Sequence, residues 1–112
     1  MMRPLTIAAS LALGFFAAPA AAQDNPGATA GDAARGHQLT YTCVGCHGIA
    51  GYKNAYPNYH VPKIGGQSQA YLINSLVEYR RGTRSHPTMQ AQAQGFSDQD
   101  IADIAAFLSG LN

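Results

Sequence analysis

Apolar positions along the chain recur in three short periodic blocks, separated by glycine- and proline-rich stretches. In the first block Gly36, Leu39, Thr40 and Cys43 fall at i, i+3, i+4 and i+7. That is one face of a helix that Asp32 can cap and that is expected to reach about Thr42. The second block, Gln69–Arg81, turns Leu72, Ile73, Leu76, Val77 and Tyr79 inward between a Ser68 cap and a Gly82 stop. The third is the most regular. Ser97 stands at its cap, Asp98 and Asp100 occupy its positive first turn, and Ile101, Ile104, Ala105 and Leu108 form its buried stripe before Gly110. Phe96 just ahead of that cap has the spacing to Ile101 of a hydrophobic staple. Segments 48–67 and 83–95 read as loops, and no persuasive alternating strand pattern interrupts the series. The expected fold class is all-α, with three main helices joined by loops.

The first residues follow a different logic. Arg3 is the only charge before Asp24, and an apolar or small-residue run from Leu5 to Ala18 leads through Pro19 to Ala20-Ala21-Ala22. A positive start, a short apolar stretch and an A-x-A site predict a secretory signal peptide over residues 1–22, cut near Ala22. The rival, an uncleaved anchor, would need about 20 apolar residues, and this run is shorter. Residues 23–31 then read as a flexible leader, and 32–112 as a single folded domain.

Charge and cysteine count narrow the function classes. The 112-residue chain has a formal charge of +1, which argues against a nucleic-acid binder working by bulk charge. Loss of Arg3 with the signal peptide leaves six basic and six acidic residues, so no field of one sign steers the mature chain. Two cysteines are too few for the framework of a disulfide-stapled scaffold. So small a core calls for some other staple.

Cys43-Val44-Gly45-Cys46-His47 supplies a candidate. C-x-x-C-H is the attachment signature of a c-type haem. Two cysteines three positions apart at a helix end can reach the two vinyl groups on one porphyrin edge, and the adjoining histidine falls under the iron. Three other readings compete. A zinc site would need a fourth ligand, and no second C-x-x-C or H-x₃₋₅-H completes a common pattern. A thioredoxin-like pair would want a βαβ context. A plain disulfide would leave His47 without a purpose. Export to an oxidising compartment favours haem, which is attached outside the cytoplasm.

Other segments extend the pattern: Val61-Pro62-Lys63-Ile64-Gly65-Gly66-Gln67, Arg81-Gly82-Thr83-Arg84 with Met89 soon after, and Gly95 to Asp103. With Cys43 to Gly48, these make the mature chain resemble a class I cytochrome c. The similarity is to the small bacterial periplasmic type that also occurs as halves of dihaem proteins, and it covers nearly all of residues 32–112. The resemblance implies one covalent haem c, wrapped by crossing terminal helices. It further implies single-electron transfer between redox protein partners in the periplasm, with no small-molecule substrate and no catalytic residue. A monomer is expected. Two alternatives remain: an electron-entry subunit of a larger oxidase or dehydrogenase, and a ligand-binding haem protein if the distal ligand is labile.

The family's distal methionine matches Met89, the only methionine left after the signal peptide, 42 residues beyond His47. Pro87 stiffens the approach by holding His86 extended. Met89 as core filler is the plain reading; His86 is the rival ligand, with His37 and His60 weaker. The proline matching Pro62 would offer its carbonyl to the proximal histidine. The resemblance also explains a mid-helix glycine at Gly36, where the last helix would cross closely with Phe107 nearby. Arg80, Arg81 and Arg84 read as a solvated face, or as a propionate partner or docking patch. Tyr52, Tyr56 and Tyr59 could shield a haem edge, contact a partner or simply pack the loop.

Overall fold

The computed structural model describes residues 30–49 and 60–112. The signal peptide predicted over residues 1–22, residues 23–29 of the leader, and Tyr52, Tyr56 and Tyr59 lie outside the described residues. Along the described chain run α1 (Ala33–Leu39), a 3-10 turn (Thr40–Thr42), α2 (Val44–His47), α3 (Gln69–Arg81), α4 (Pro87–Gln94) and α5 (Asp98–Ser109). No strand occurs among the described residues, in line with the all-α reading.

The helix caps are those that the local sequence favours. Asp32 accepts hydrogen bonds from the Ala34 and Arg35 amides, and Ser68 accepts one from Tyr71. Ser97 and Asp100 close a reciprocal capping box at the start of α5. Gly82 ends α3 in the left-handed region at φ 77°, its amide donating to the Glu78 and Tyr79 carbonyls.

Two boundaries differ from expectation. The first helix was expected to continue to Thr42, but its α-form stops at Leu39 and tightens into the 3-10 turn. Buried Thr40 donates its hydroxyl to the His37 carbonyl at 2.9 Å, a local bond that competes with continued α-helix. The expected loop 83–95 contains α4. Pro87 stands at its start and His86 caps it with extended backbone (φ −162°, ψ 105°). Ala, Gln and Met are good helix formers, yet only Ala93 is buried, so α4 has almost no apolar stripe to announce it.

The core lies where α1 and α3 meet α5. Ile101, Ile104 and Leu108 are at most 2% exposed, each contributing about 1.5–3 kcal/mol by burial. Leu72 and Ile49 join this core, with Leu39, Ile73, Leu76 and Phe96 packed at its edge. The α1–α5 crossing is unusually close. A Cβ on Gly36 would lie 1.9 Å from the Asp103 carbonyl oxygen, and one on Gly31 would lie 2.2 Å from that of Ala102. Gly31 and Ala30, assigned to the leader from sequence, are therefore docked on α5, where Gln99 donates to the Ala30 carbonyl at 3.1 Å. Phe107 packs against the His37 ring with centroids 4.8 Å apart.

Asp103 sits inside this crossing at 1% exposure. It accepts the Asp32 amide at 2.7 Å, the Gln99 side-chain amide at 2.7 Å and one arm of Arg35. Arg35's other arm reaches Asp100 at 2.6 Å. The Asp32 amide, opposed by burial and reinforced by Arg35 and Gln99, holds the Asp103 carboxyl below the usual aspartate range.

Candidate cofactor site

Cys43 closes the 3-10 turn, and the single turn of α2 carries Cys46 and His47. Gly48 then ends that turn at φ 60°, ψ 38°, donating to the Val44 carbonyl. This left-handed position suits glycine, and it turns the chain away immediately after the histidine. Both cysteines are half-buried thiols with no disulfide between them. Burial pushes the Cys43 thiol up, with the Thr42 side chain acting against it.

His47 Nδ1 lies 2.8 Å from the Pro62 carbonyl oxygen. A carbonyl can only accept, so Nδ1 carries the hydrogen and the neutral ring keeps its lone pair on Nε2. The segment bearing Pro62 is itself tethered: the Gly66 amide donates to the Leu108 carbonyl at 2.8 Å, and Gln67 donates to the Lys63 carbonyl at 3.1 Å.

Cys43, Cys46, His47 and Pro62 open on one cavity of about 560 Å³. Leu72 and Leu76 of α3, Met89 of α4, and Phe96 and Leu108 line it as well. Four of the five residues predicted for the site thus come from the first helical region and the following loop, and α4 brings the fifth. His60 and His86 also reach the cavity, whereas His37 is not among its lining residues.

His86 is engaged in another task. Its Nδ1 accepts the Met89 amide at 3.3 Å, capping α4, and its ring lies edge-on to Tyr79 at 6.4 Å between centroids. A neutral His86 ring so oriented carries its hydrogen on Nε2. Donating a lone pair to a metal would then cost the cap. Among the described residues no group of three or more His, Cys, Asp or Glu side chains is arranged to hold a metal ion, which leaves the zinc reading without a ligand set.

The three clustered arginines separate in space. Arg80 donates to the Phe96 carbonyl at 2.9 Å and pairs with Asp98, joining the end of α3 to the start of α5. Arg84 reaches the Ser75 hydroxyl at 2.9 Å and the Tyr71 hydroxyl at 3.4 Å. Its guanidinium lies 5.9 Å from the Tyr71 ring centroid and 5.1 Å from that of Tyr79. The Arg84 hydrogen bond, aided by Ser75, lowers the Tyr71 hydroxyl's pKa. Arg81 is exposed. Sequence adjacency suggested one basic face; the fold assigns Arg80 and Arg84 to two different junctions. Tyr71, Ser75 and Tyr79 stand at i, i+4 and i+8 on one face of α3, a spacing legible in the sequence, but their role as a seat for Arg84 shows only when the turn after α3 folds that side chain back over them.

A helical shell closed on an apolar cavity, with two thiols and an imidazole presented on one turn, defines a small all-α haem protein. The sequence model of cytochrome c matches residues 33–112, and the chain belongs to that family, with the class I cytochrome c fold. It is 49% identical over 83 residues to cytochrome c-554(548) of Halomonas halodenitrificans, covering 71% of this chain and 96% of that protein. It is 40% identical over 80 residues to cytochrome c4 of Pseudomonas aeruginosa, covering 71% of this chain but 38% of that longer relative. Its fold matches the crystal structure of reduced recombinant cytochrome c4 from Pseudomonas stutzeri with a TM-score of 0.61 and 27% identity, over 75% of this chain and 53% of the other. The family carries covalent haem c and transfers electrons with redox partners.

The residues present fit that group. A cavity of about 560 Å³ falls within the roughly 300–1,000 Å³ of cofactor-sized sites. Its lining is mainly apolar, and its donors are two thiols, an imidazole with a free Nε2 lone pair, and a thioether.

Proposed function

We propose that the chain is a periplasmic electron carrier holding one haem c through thioethers to Cys43 and Cys46, with His47 and Met89 as axial ligands. The hydrogen bond between His47 Nδ1 and the Pro62 carbonyl carries the reading, because it leaves Nε2 available and fixes the plane of the ring. When bound, the haem supplies a one-electron couple. The protein's own part is to hold that group still and dry. Leu72, Leu76, Phe96 and Leu108 exclude water from its faces, and the His86 cap with Pro87 fixes the start of the helix bearing Met89. No side chain in the cavity is needed as a general acid or base, and the reading is of a non-enzymatic carrier acting as a monomer between redox protein partners.

Residues 1–22 serve in this reading as the export signal, and the folded domain comprises residues 32–112 together with Ala30 and Gly31 docked on α5. No helix among the described residues is long and apolar enough to cross a membrane. The direct test is covalent attachment in the exported protein. Acid-acetone treatment should leave haem on the polypeptide, and its mass should equal the mature chain plus one haem. Haem that extracts freely refutes the assignment of Cys43 and Cys46.

A further inference from the structure

Helix α4 carries the proposed sulfur ligand, yet little apolar packing holds it in place. Ala93 is its only buried residue, and it lies a full turn beyond Met89. The start of the helix is also short of backbone bonds. Pro87 has no amide, and the first bond of the helix runs from the Gln90 amide to the His86 carbonyl at 2.8 Å. The Met89 amide therefore has no acceptor on the helix backbone, and the His86 ring supplies one at 3.3 Å. Histidine is an unusual residue for that task. Asp32, Ser68 and Ser97 cap α1, α3 and α5 with the short oxygen side chains usually favoured. A serine or asparagine at position 86 would meet the Met89 amide but would not extend to α3. The His86 ring does extend. It meets Tyr79 edge-on, with centroids 6.4 Å apart and planes at 79°. The Tyr79 ring is held in turn by Arg84, whose guanidinium lies 5.1 Å from its centroid and 2.9 Å from the Ser75 hydroxyl. A continuous set of contacts thus runs from α3 through Tyr79 and His86 to the backbone of Met89, and all three residues line the cofactor cavity.

We infer that His86 and Tyr79 act together as positioning residues for Met89, clamping the ligand-bearing helix to α3 so that the thioether sulfur is not released in the oxidised carrier. This rests on the electron-carrier reading above, and it goes beyond the cap already described by giving the His86 ring a partner on α3. Thioether sulfur favours ferrous over ferric iron, so the oxidised state is the one in which it is most readily lost. Apolar burial does little to hold α4 against that loss, so the contacts at its first turn must. A ligand is kept in one geometry by the groups that fix its own backbone and rotamer. A sulfur that stays in place in both oxidation states keeps small ligands off the metal and limits rearrangement during electron transfer. Loss of the ring contact should weaken the hold on Met89, and loss of the cap should weaken it further.

The test is imidazole binding to ferric holoprotein at a fixed neutral pH. An imidazole nitrogen takes the place of the sulfur, one coordinate bond breaking as another forms, with no change in oxidation state. At high imidazole the rate is limited by sulfur release and no longer depends on imidazole concentration. His86→Asn keeps a cap and loses the ring, while Tyr79→Leu keeps the cap and loses the ring's partner. Each should raise the limiting rate about fivefold, and the double variant should be no faster than either. His86→Ala removes the cap as well and should raise the rate about twentyfold. Hydrogen exchange at the Met89 amide, read by NMR, should speed up in His86→Ala and stay near wild type in His86→Asn. Gly36→Ala loosens the distant α1–α5 crossing and should leave the limiting rate within about twofold of wild type. A wild-type limiting rate in either His86→Asn or Tyr79→Leu overturns the inference, as does a double variant whose effect is the product of the two singles. Equal acceleration in Gly36→Ala, or unchanged Met89 amide exchange in His86→Ala, overturns it too. Failure of the underlying reading looks different: a wild-type protein that binds imidazole as fast as Met89→Ala, at a rate rising in proportion to imidazole, has no sulfur ligand to hold.

Discussion

Gly36→Ala perturbs the tightest point of the fold by one carbon. The added Cβ would sit 1.9 Å from the Asp103 carbonyl oxygen and 2.5 Å from its carbonyl carbon, where ordinary contact begins at 3.4 Å. The two backbones must therefore part by about 1.5 Å, and no flexible side chain is available to yield instead. Overpacking of this kind costs typically 1–3 kcal/mol, while alanine in place of a helical glycine returns up to about 1 kcal/mol. Because backbone must move, and because it carries Asp103 and its three hydrogen-bond donors, the upper end of the cost applies. We expect a net loss of about 2 kcal/mol. For a domain of this size that is a fall in Tm of roughly 8–16 °C. Thermal unfolding of the holoprotein by circular dichroism measures it, with Gly95→Ala as control. Gly95 has φ −81° and no atom within 4 Å of a built Cβ, so its variant should stay within about 0.5 kcal/mol of wild type. A Gly36→Ala protein as stable as wild type would refute the close-crossing argument.

Met89→His should lower the reduction potential while leaving haem attached, since thioether sulfur favours ferrous iron more than imidazole does; a redox titration showing no shift would leave Met89 as packing. If His47 and Met89 fill both axial positions as proposed, ferrous holoprotein should bind carbon monoxide slowly near neutral pH, and rapid stoichiometric binding would favour a ligand-binding haem protein. The carboxyls of Asp103 and Asp100 are both held low, Asp103 mainly by the Asp32 amide and Asp100 mainly by hydrogen bonds from Ser97. A depressed carboxylate stabilises the fold above its unfolded pKa of about 4, and that stability is lost as pH falls through the lower folded value. Denaturant titrations from neutral to acid pH should show this loss, and Asp103→Asn should be less stable at neutral pH with a shallower decline. An Asp103→Asn curve parallel to wild type throughout would remove Asp103 from the acid response.

Local rules made much of this protein legible. Ser97, Gly82 and the stripe of α5 act within a few residues of themselves, so cap, stop and buried face follow from sequence and match the structure. The C-x-x-C-H spacing is likewise local, and it pointed to the cofactor that the family carries. Where the signal depended on a distant partner, sequence fell short. Helix α4 was missed for another reason: its cap is local, the His86 ring accepting the Met89 amide three residues on, but it presents almost no apolar stripe. Asp103 looked like any acidic residue on the last helix until α1 was laid across it, bringing the Asp32 amide and Arg35 from 71 and 68 residues away. The contact between His47 and Pro62, suggested by resemblance, acquires its geometry only when Gly66 ties the loop to the end of α5. Short-range hydrogen bonding and side-chain periodicity are written along the chain, but which distant groups meet is decided by the packing of the helices. The glycines of the core's tightest crossing divide along that limit: the resemblance already implied a close approach at Gly36, whereas Gly31, read as part of the leader, shows its purpose only against the Ala102 backbone that fills its place.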